Sequence, residues 1–517
     1  MFEINNLSIK QLFSGRILVD SLSLRIKEGD KVALIGEEGV GKSVLLRYLA
    51  SGRLDPAFEA KGSFTRPQRV GYLPQEAPEA FLVQDTISFL LKDDAEKDIP
   101  LERYELTARF SSLLSLVGFD MDSFDESKTL SSYSGGEKVK LSLVKLLLRN
   151  PEILMLDEPS NDLDLGTMDF LSEFLRRERL PIIFVSHDER LLSSVSTTVI
   201  HLEQIHSRTE NLTTFMDLNY SDYKAERTAR LERQGSLARK QRDQFDKKMR
   251  RYKEIYEKVK YAQNQAVRDP ITGRLLKKKM HALKSEERRL GKEKESFEEV
   301  PDKDEAMNAF FSEEVSLPAS KVVFALVDVP ISDSCGHVLV KEARLSLVGP
   351  SHIAIVGKNG IGKSSFLREL YAKNKERKDI KLAYMPQDYS EILDYQARAI
   401  DYLVPSLDKN EVGRVRSMMG ALRFETDEML SAIGSLSGGK KAKLLILKMI
   451  IDKANVLLLD EPTRNLSPLN CPEVFSLINS FKGAVVAVTH ERAFLESSFK
   501  TIYRLDKHGF ALENIQL

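Results

Sequence analysis

The chain is an internal repeat, and each copy opens on the same eight-residue pattern. GEEGVGKS (36–43) and GKNGIGKS (357–364) both fit GxxxxGKS. Each is followed, in the same order, by a YxPQ tetrapeptide (72–75 and 384–387) and a serine–glycine–glycine segment, SSYSGGEKVKLSL (131–143) and GSLSGGKKAKLLI (434–446). Next come ILMLDEPSNDLD (153–164) and VLLLDEPTRNLS (456–467), then IIFVSHDER (182–190) and VVAVTHERA (485–493). Ser134 to Glu158 and Ser437 to Glu461 both span 24 residues, and each glutamate precedes its histidine, His187 or His490, by 29. Order and spacing together make these two copies of one domain.

GxxxxGKS requires a strand before it and a helix after it. Short apolar runs at Lys31–Ile35 and Ile353–Val356 supply the strands, and VLLRYLA (44–50) and SFLREL (365–370) continue as helices. The fold class is therefore α/β, in two tandem nucleotide-binding domains. Gly36, Gly39 and Gly41, with Gly357, Asn359, Gly360 and Gly362 in the second copy, let backbone N–H groups curl around phosphates at a helix N-terminus. Lys42 and Lys363 are placed to reach the terminal phosphates, and Ser43 and Ser364 to reach magnesium. The DEP runs read as buried strands ending in a carboxylate pair. Asp157 and Asp460 suit magnesium held through water, and Glu158 and Glu461 suit proton abstraction from an attacking water. His187 and His490, each closing an apolar β-branched strand, are expected beside the γ-phosphate.

The glycines of SYSGGEK and SLSGGKK again begin a helix, offering N–H groups to phosphate. This resembles the signature motif of the ABC superfamily, and the resemblance covers both copies. It implies ATP with Mg²⁺ as ligand, ATP hydrolysis as activity, and closure of each signature over the nucleotide held by the other domain. One site would combine Lys42, Ser43, Gln75, Asp157, Glu158 and His187 with Ser437, Gly438 and Gly439. The other would combine Lys363, Ser364, Gln387, Asp460, Glu461 and His490 with Ser134, Gly135 and Gly136. The two glutamines stand among both the catalytic residues and the metal ligands. Phe13 is a candidate for stacking on adenine at the first site, whereas SDSCGHVLV (332–340) has no aromatic. An aspartate that usually bridges the sites is replaced by Ser467 in the second copy, so unequal sites are expected.

Composition bears on what lies between the copies. The 517 residues carry 77 basic and 77 acidic side chains, yet Arg227–Leu290 holds 21 Lys and Arg against 8 Asp and Glu. A local net charge of +13 points to a polyanion contact. Leu231, Ala238, Phe245, Tyr252 and Val259 recur every seven residues with Met249 and Tyr256 interleaved, and Leu283, Leu290 and Phe297 follow on a return helix from about Leu275. That spacing predicts an antiparallel coiled-coil hairpin with its break at Asp269–Pro270 and Thr272–Gly273. The expected domains are 1–218, a linker at 219–315 with a loop tip at 263–279, and 316–517. Arg268, Arg274, Lys277, Lys278 and Lys279 at that tip are the candidate RNA contacts, largely to backbone phosphate. Apolar runs are too short to span a membrane, the start lacks a secretory pattern, and two cysteines make no disulfide framework. A cytoplasmic protein is expected, monomeric with intramolecular domain pairing and no membrane partner.

Two such domains joined by a charged hairpin of about 80 residues resemble the ABC-F proteins, as do NYSDY (219–223) and KMHALKSEERR (279–289). The resemblance implies binding of the ATP-closed form to the bacterial ribosome at the tRNA exit site. The linker would then point along large-subunit rRNA, beside a bound tRNA, toward the peptidyl-transferase centre. Three features lean toward the antibiotic-resistance branch active against lincosamides, streptogramin A and pleuromutilins. Only 59 residues separate Gln75 from Ser134, 27 follow His490, and EPTRNLSPLN (461–470) is similar to that branch. A housekeeping translation factor with the same mechanism and the ATP-hydrolysing subunit of a transporter are the alternatives.

Overall fold

The computed structural model describes residues 2–513 except 14, 38, 76–78, 93–105, 120–123, 162, 206–209, 266–269, 296–314, 333–335, 405–407, 423, 465, 467 and 469–470. Met1–Tyr220 and Glu305–Leu517 form one compact unit, and Ser221–Asp304 forms another.

The first unit contains two α/β lobes of the same plan. In the first, a six-stranded sheet runs in the order Val70–Leu73, Ile153–Asp157, Ile182–Val185, Lys31–Gly36, Thr198–Ile205, Glu210–Met216. In the second, Leu382–Met385, Val456–Asp460, Ala484–Val488, His352–Val356, Thr501–Asp506 and Gly509–Leu512 follow the same order. All neighbours pair in parallel except the last two strands of each sheet. ILMLD and VLLLD are buried along their whole length, as strands covered on both faces must be. The phosphate-loop strand sits centrally, between the strand that leads to the histidine and the strand before the last. The carboxylate pair, the histidine and the phosphate loop thus emerge side by side at the C-terminal ends of adjacent strands.

The lobes differ at their antiparallel edge. The first has three strands, with Phe2–Gln11 between Ile17–Ile26 and Phe58–Thr65. The second has two, Val322–Ser332 and Val338–Val348. The reason is chain length: residues 52–69 hold the third strand in the first lobe, but only residues 375–381 separate the corresponding helix and strand in the second. An unpaired edge is an aggregation hazard unless blunted. Here Arg377 Nη1 donates to the Val323 carbonyl, Arg377 Nη2 and Lys321 Nζ hold Asp379 at 2.7 and 2.6 Å, and Pro330 removes one edge N–H.

The second unit is a helical hairpin of the helix Tyr220–Gln265, without its first residue, and the helix Pro270–Glu295. A helix of 46 residues extends about 69 Å. The expected loop at 263–279 and helix start near Leu275 are corrected by this boundary. Proline at a first helical position loses no hydrogen bond, so Pro270 starts the return helix, and Thr272 and Gly273 lie inside it. Tyr252, Val259 and Leu283 are buried in the seam, flanked by Phe245, Met249, Tyr256, Leu276 and Met280, and Tyr252 donates to Glu287 Oε2 at 3.1 Å. The side chains of Leu231, Ala238, Leu290 and Phe297 lie outside the described residues. Among the described residues, no helix is long and apolar enough to cross a membrane.

Replacing Arg377 by Ala removes the donor from the Val323 carbonyl and one partner of Asp379. We expect about 1–2 kcal/mol of destabilisation, read as a lower Tm. An unchanged Tm would show that the edge is protected by Pro330 and sequence alone.

Candidate functional site

Each phosphate loop turns sharply between its strand and helix. Gly39 (φ 73°) and Gly41 (φ 112°) in the first lobe match Gly360 (φ 78°) and Gly362 (φ 101°) in the second. A Cβ on Gly41 would also lie 3.0 Å from the Leu18 side chain, so glycine is required there twice over. Lys42 Nζ donates to the carbonyls of Gly36 and Glu37 at 2.9 and 3.0 Å. Lys363 Nζ donates to those of Gly357 and Lys358 at 2.8 and 3.1 Å and to Asn359 Oδ1 at 3.3 Å. Both ammonium groups are thus buried at the mouth of a helix N-terminus.

The carboxylates follow. Ser43 Oγ donates to Asp157 Oδ1 at 3.1 Å. Glu158 (φ 52°) and Glu461 (φ 48°) adopt a left-handed backbone although neither is glycine and each precedes a proline. Their N–H groups donate to Val185 and Val488 across the sheet at 3.1 and 2.9 Å, which fixes that unfavourable geometry. Such strain at two matched positions marks a functional turn. His187 Nε2 lies 2.9 Å from Glu158 Oε1, and the matching pair His490–Glu461 stands at 3.8 Å.

A cleft of about 460 Å³ joins the lobes at the second phosphate loop. Asn359, Gly360, Gly362, Lys363, Ser364, Gln387, Asp460, Glu461 and His490 line it from the second lobe, and Gly135 and His187 from the first. Ser134 N-caps the helix Gly135–Leu148, and Ser437 N-caps Gly438–Ile451. In the first lobe Lys42 folds onto its own phosphate loop, Ser43 joins that loop to Asp157, His187 pairs with Glu158, and Gln75 is exposed. Phe13 projects fully into solvent. Arg274, Lys277, Lys278 and Lys279 are exposed on the return helix, which replaces the expected loop. Arg268 and Ser467 lie outside the described residues.

Burial sets the electrostatics of the second-lobe site. It pushes the Asp460 carboxyl up to about 6 and, with Asp460 beside it, Glu461 up to about 8. It lowers the Lys363 ammonium, and burial with Lys363 nearby pushes His490 down to about 3, leaving a neutral ring. Asp157 is likewise raised by burial. Among the described residues, both Asp460 carboxylate oxygens are buried with no partner at hydrogen-bonding geometry, Ser364 being the nearby hydroxyl that lowers the Asp460 pKa against burial. A divalent cation and a phosphate would satisfy that carboxylate and the lysine respectively, so the donor set fits magnesium with a nucleotide triphosphate.

The family model described as "ABC transporter" matches residues 19–161 and 340–464, just over half of the chain. The chain belongs to that family. It is 25% identical to ABC transporter F family member 5 of Arabidopsis thaliana, over 96% of this chain and 74% of that protein. It is 27% identical to the ATP-binding protein Uup of Escherichia coli K12, over 94% and 77%. These relatives and the tandem domains make it an ABC-F-type ATPase. The fold is shared with the archaeal ribosome recycling factor aABCE1, solved with the stalk protein aP1 (TM-score 0.58, 16% identity, 98% of this chain and 89% of that one). It is shared too with an RNase-L inhibitor (TM-score 0.56, 17% identity, 98% and 90%). ABC ATPase domains bind ATP with Mg²⁺.

Sequence reasoning missed several residues of this ABC-F ATPase. Ser160, Asn161, Asp188, Thr463, Arg464 and Glu491 also line the cleft. All sit within three residues of a motif glutamate or histidine, a proximity that could have flagged them. Arg492, next to Glu491, pairs with Asp169 of the other lobe. Nothing in the repeat announces that pair, because Glu189 and Pro472 occupy the matching positions.

Two outcomes follow for the ABC-F ATPase without nucleotide or divalent cation. A carboxyl whose folded pKa is raised disfavours its ionised form in the folded state. It therefore costs stability progressively as pH rises from the ordinary carboxylate range to about 8. Glu461→Gln should be more heat-resistant than the parent at about pH 8, with the advantage shrinking toward about pH 5; a pH-independent difference would reject the raised pKa. Arg492→Asp should weaken lobe pairing by about 1–3 kcal/mol, and adding Asp169→Arg should restore part of it. A double-mutant cycle on thermal unfolding with no coupling would show that the pair contributes nothing.

Proposed function

We propose that this ABC-F ATPase binds the bacterial ribosome in its ATP-closed form and protects the large subunit from peptidyl-transferase-centre antibiotics. The observation that carries the reading is the shared cleft, in which Gly135 of one lobe faces Lys363, Asp460 and Glu461 of the other. A nucleotide there binds both lobes at once, so ATP closes them and hydrolysis releases them. Gly36, Gly39, Gly41 and Lys42 cradle phosphate at one site, and Gly357, Asn359, Gly360, Gly362 and Lys363 at the other. Ser437, Gly438 and Gly439 complete the first site, and Ser134, Gly135 and Gly136 the second. Phe13 stacks on the first adenine.

Ser43, Gln75 and Asp157 in one site, and Ser364, Gln387 and Asp460 in the other, would hold magnesium, which when bound would neutralise charge on the phosphates. Glu158 and Glu461 take the proton of the attacking water. His187 and His490, with Gln75 and Gln387, orient that water and the γ-phosphate. The basic hairpin supports an rRNA contact, because its exposed Arg274, Lys277, Lys278 and Lys279 suit a phosphate backbone. The tRNA exit site, beside a bound tRNA, is the docking position in this reading, and the protein works in the cytoplasm as a monomer. A housekeeping translation factor is the second reading. It is favoured by the fold shared with a protein described as a ribosome recycling factor.

Translation in a purified, membrane-free bacterial system separates them. With a lincosamide, streptogramin A or pleuromutilin present, the protein should restore synthesis, and Glu158→Gln with Glu461→Gln should abolish the rescue while keeping ribosome binding. Binding without rescue for all three drugs supports the housekeeping factor. Parental ATP hydrolysis by the doubly substituted protein would reject both glutamates as bases.

A further inference from the structure

The two signature serines are in different chemical states. Ser134 Oγ donates its only proton to Glu137 Oε2 at 2.7 Å, and the same oxygen accepts the Ser134 backbone N–H at 2.8 Å. The Glu137 N–H donates back to Ser134 Oγ at 3.3 Å, closing a reciprocal cap on the helix Gly135–Leu148. Ser437 Oγ likewise accepts from the N–H three residues on, at 3.3 Å, but that residue is Lys440. An ammonium has no lone pair, so Lys440 cannot take the Ser437 proton. Its side chain instead turns to Glu428 Oε2 at 3.2 Å and lies over the Phe424 ring at 4.9 Å.

We propose that Glu137 is a positioning residue that holds the Ser134 hydroxyl away from nucleotide, making the second-lobe ATP site the weaker of the two. This rests on the reading above that Ser134 completes the Lys363 site. A phosphate oxygen only accepts hydrogen bonds. Ser134 must therefore break its charge-assisted bond to Glu137 before donating to a terminal phosphate. The carboxylate also repels the incoming phosphate across the wall that Gly135 forms. Ser437 meets neither obstacle. The residue three positions after each signature serine thus sets the order in which the sites fill: the Lys42–Ser437 site first, the Lys363–Ser134 site second. Lobe closure is then limited by release of Ser134 from Glu137.

The experiment is equilibrium binding to the full chain carrying Lys42→Ala, which leaves the second-lobe site as the measured one. The probes are a non-hydrolysable ATP analogue and ADP, both with magnesium. Glu137→Gln keeps an acceptor for the Ser134 N–H and removes the charge. It should tighten the ATP analogue by about three- to tenfold, the equivalent of one net hydrogen bond, and leave ADP unchanged because ADP lacks the phosphate that Ser134 would meet. Glu137→Lys, the residue type of the second lobe, should do the same and serves if the glutamine variant folds poorly. Ser134→Ala should weaken the ATP analogue and erase the gain from Glu137→Gln. If Ser134→Ala changes nothing, the assignment of Ser134 to this site fails. If Ser134→Ala weakens binding but neither Glu137 variant tightens it, or ATP analogue and ADP shift together, the gating role of Glu137 is overturned while the site stands.

Discussion

Two helix N-termini and a buried lysine face one cleft, an arrangement that favours negative charge between them. The helices Gly135–Leu148 and Lys363–Asn374 begin at that cleft, one from each lobe, and Lys363 adds its amino group. Each N-terminus carries roughly half a positive charge in unsatisfied N–H groups. Lys363 donates to its own loop carbonyls and Ser134 to Glu137. Both groups thus satisfy themselves locally. In the proposed reading, a polyphosphate would replace two local arrangements by one shared between lobes and so turn binding energy into a conformational change.

The asymmetry between the copies has a common origin in small substitutions on an unchanged frame. Lys440 stands where the first signature has Glu137, and Arg464 where the first lobe has Asn161. The Arg492–Asp169 pair has no symmetric mate, since Glu189 and Pro472 occupy the matching positions. None of these changes falls in a strand; all lie in helices or loops. A duplicated domain can in this way specialise its two sites while its core stays the same.

Much of this was legible in the sequence because the decisive motifs are local. GxxxxGKS fixes a strand, a glycine turn and a helix within about fifteen residues, and the structure has Lys31–Gly36 and Lys42–Ser51 where that spacing requires them. The raised pKa of Glu461 was not legible, since it comes from burial and from Asp460 at a depth that no motif encodes. The inter-lobe pair of Arg492 and Asp169 escaped for the same reason: 323 residues separate them. The hairpin boundary failed differently. Pro270 reads as a breaker, but at a first helical position it starts a helix, and sequence alone does not say which role applies.

The hairpin's own energetics leave it weakly held together. Its described seam buries three side chains fully, Tyr252, Val259 and Leu283, with five more partly covered. At about 1.5–3 kcal/mol for each fully buried apolar side chain, that is little against the entropy of ordering helices of 46 and 26 residues. Repulsion within a segment of net charge +13 subtracts further. Long helices with a thin seam and a large like charge gain most from an extended polyanion, which neutralises the charge without demanding a broad apolar face. Under the proposed rRNA contact, the features that make the hairpin marginal in isolation are the ones it offers to a phosphate backbone.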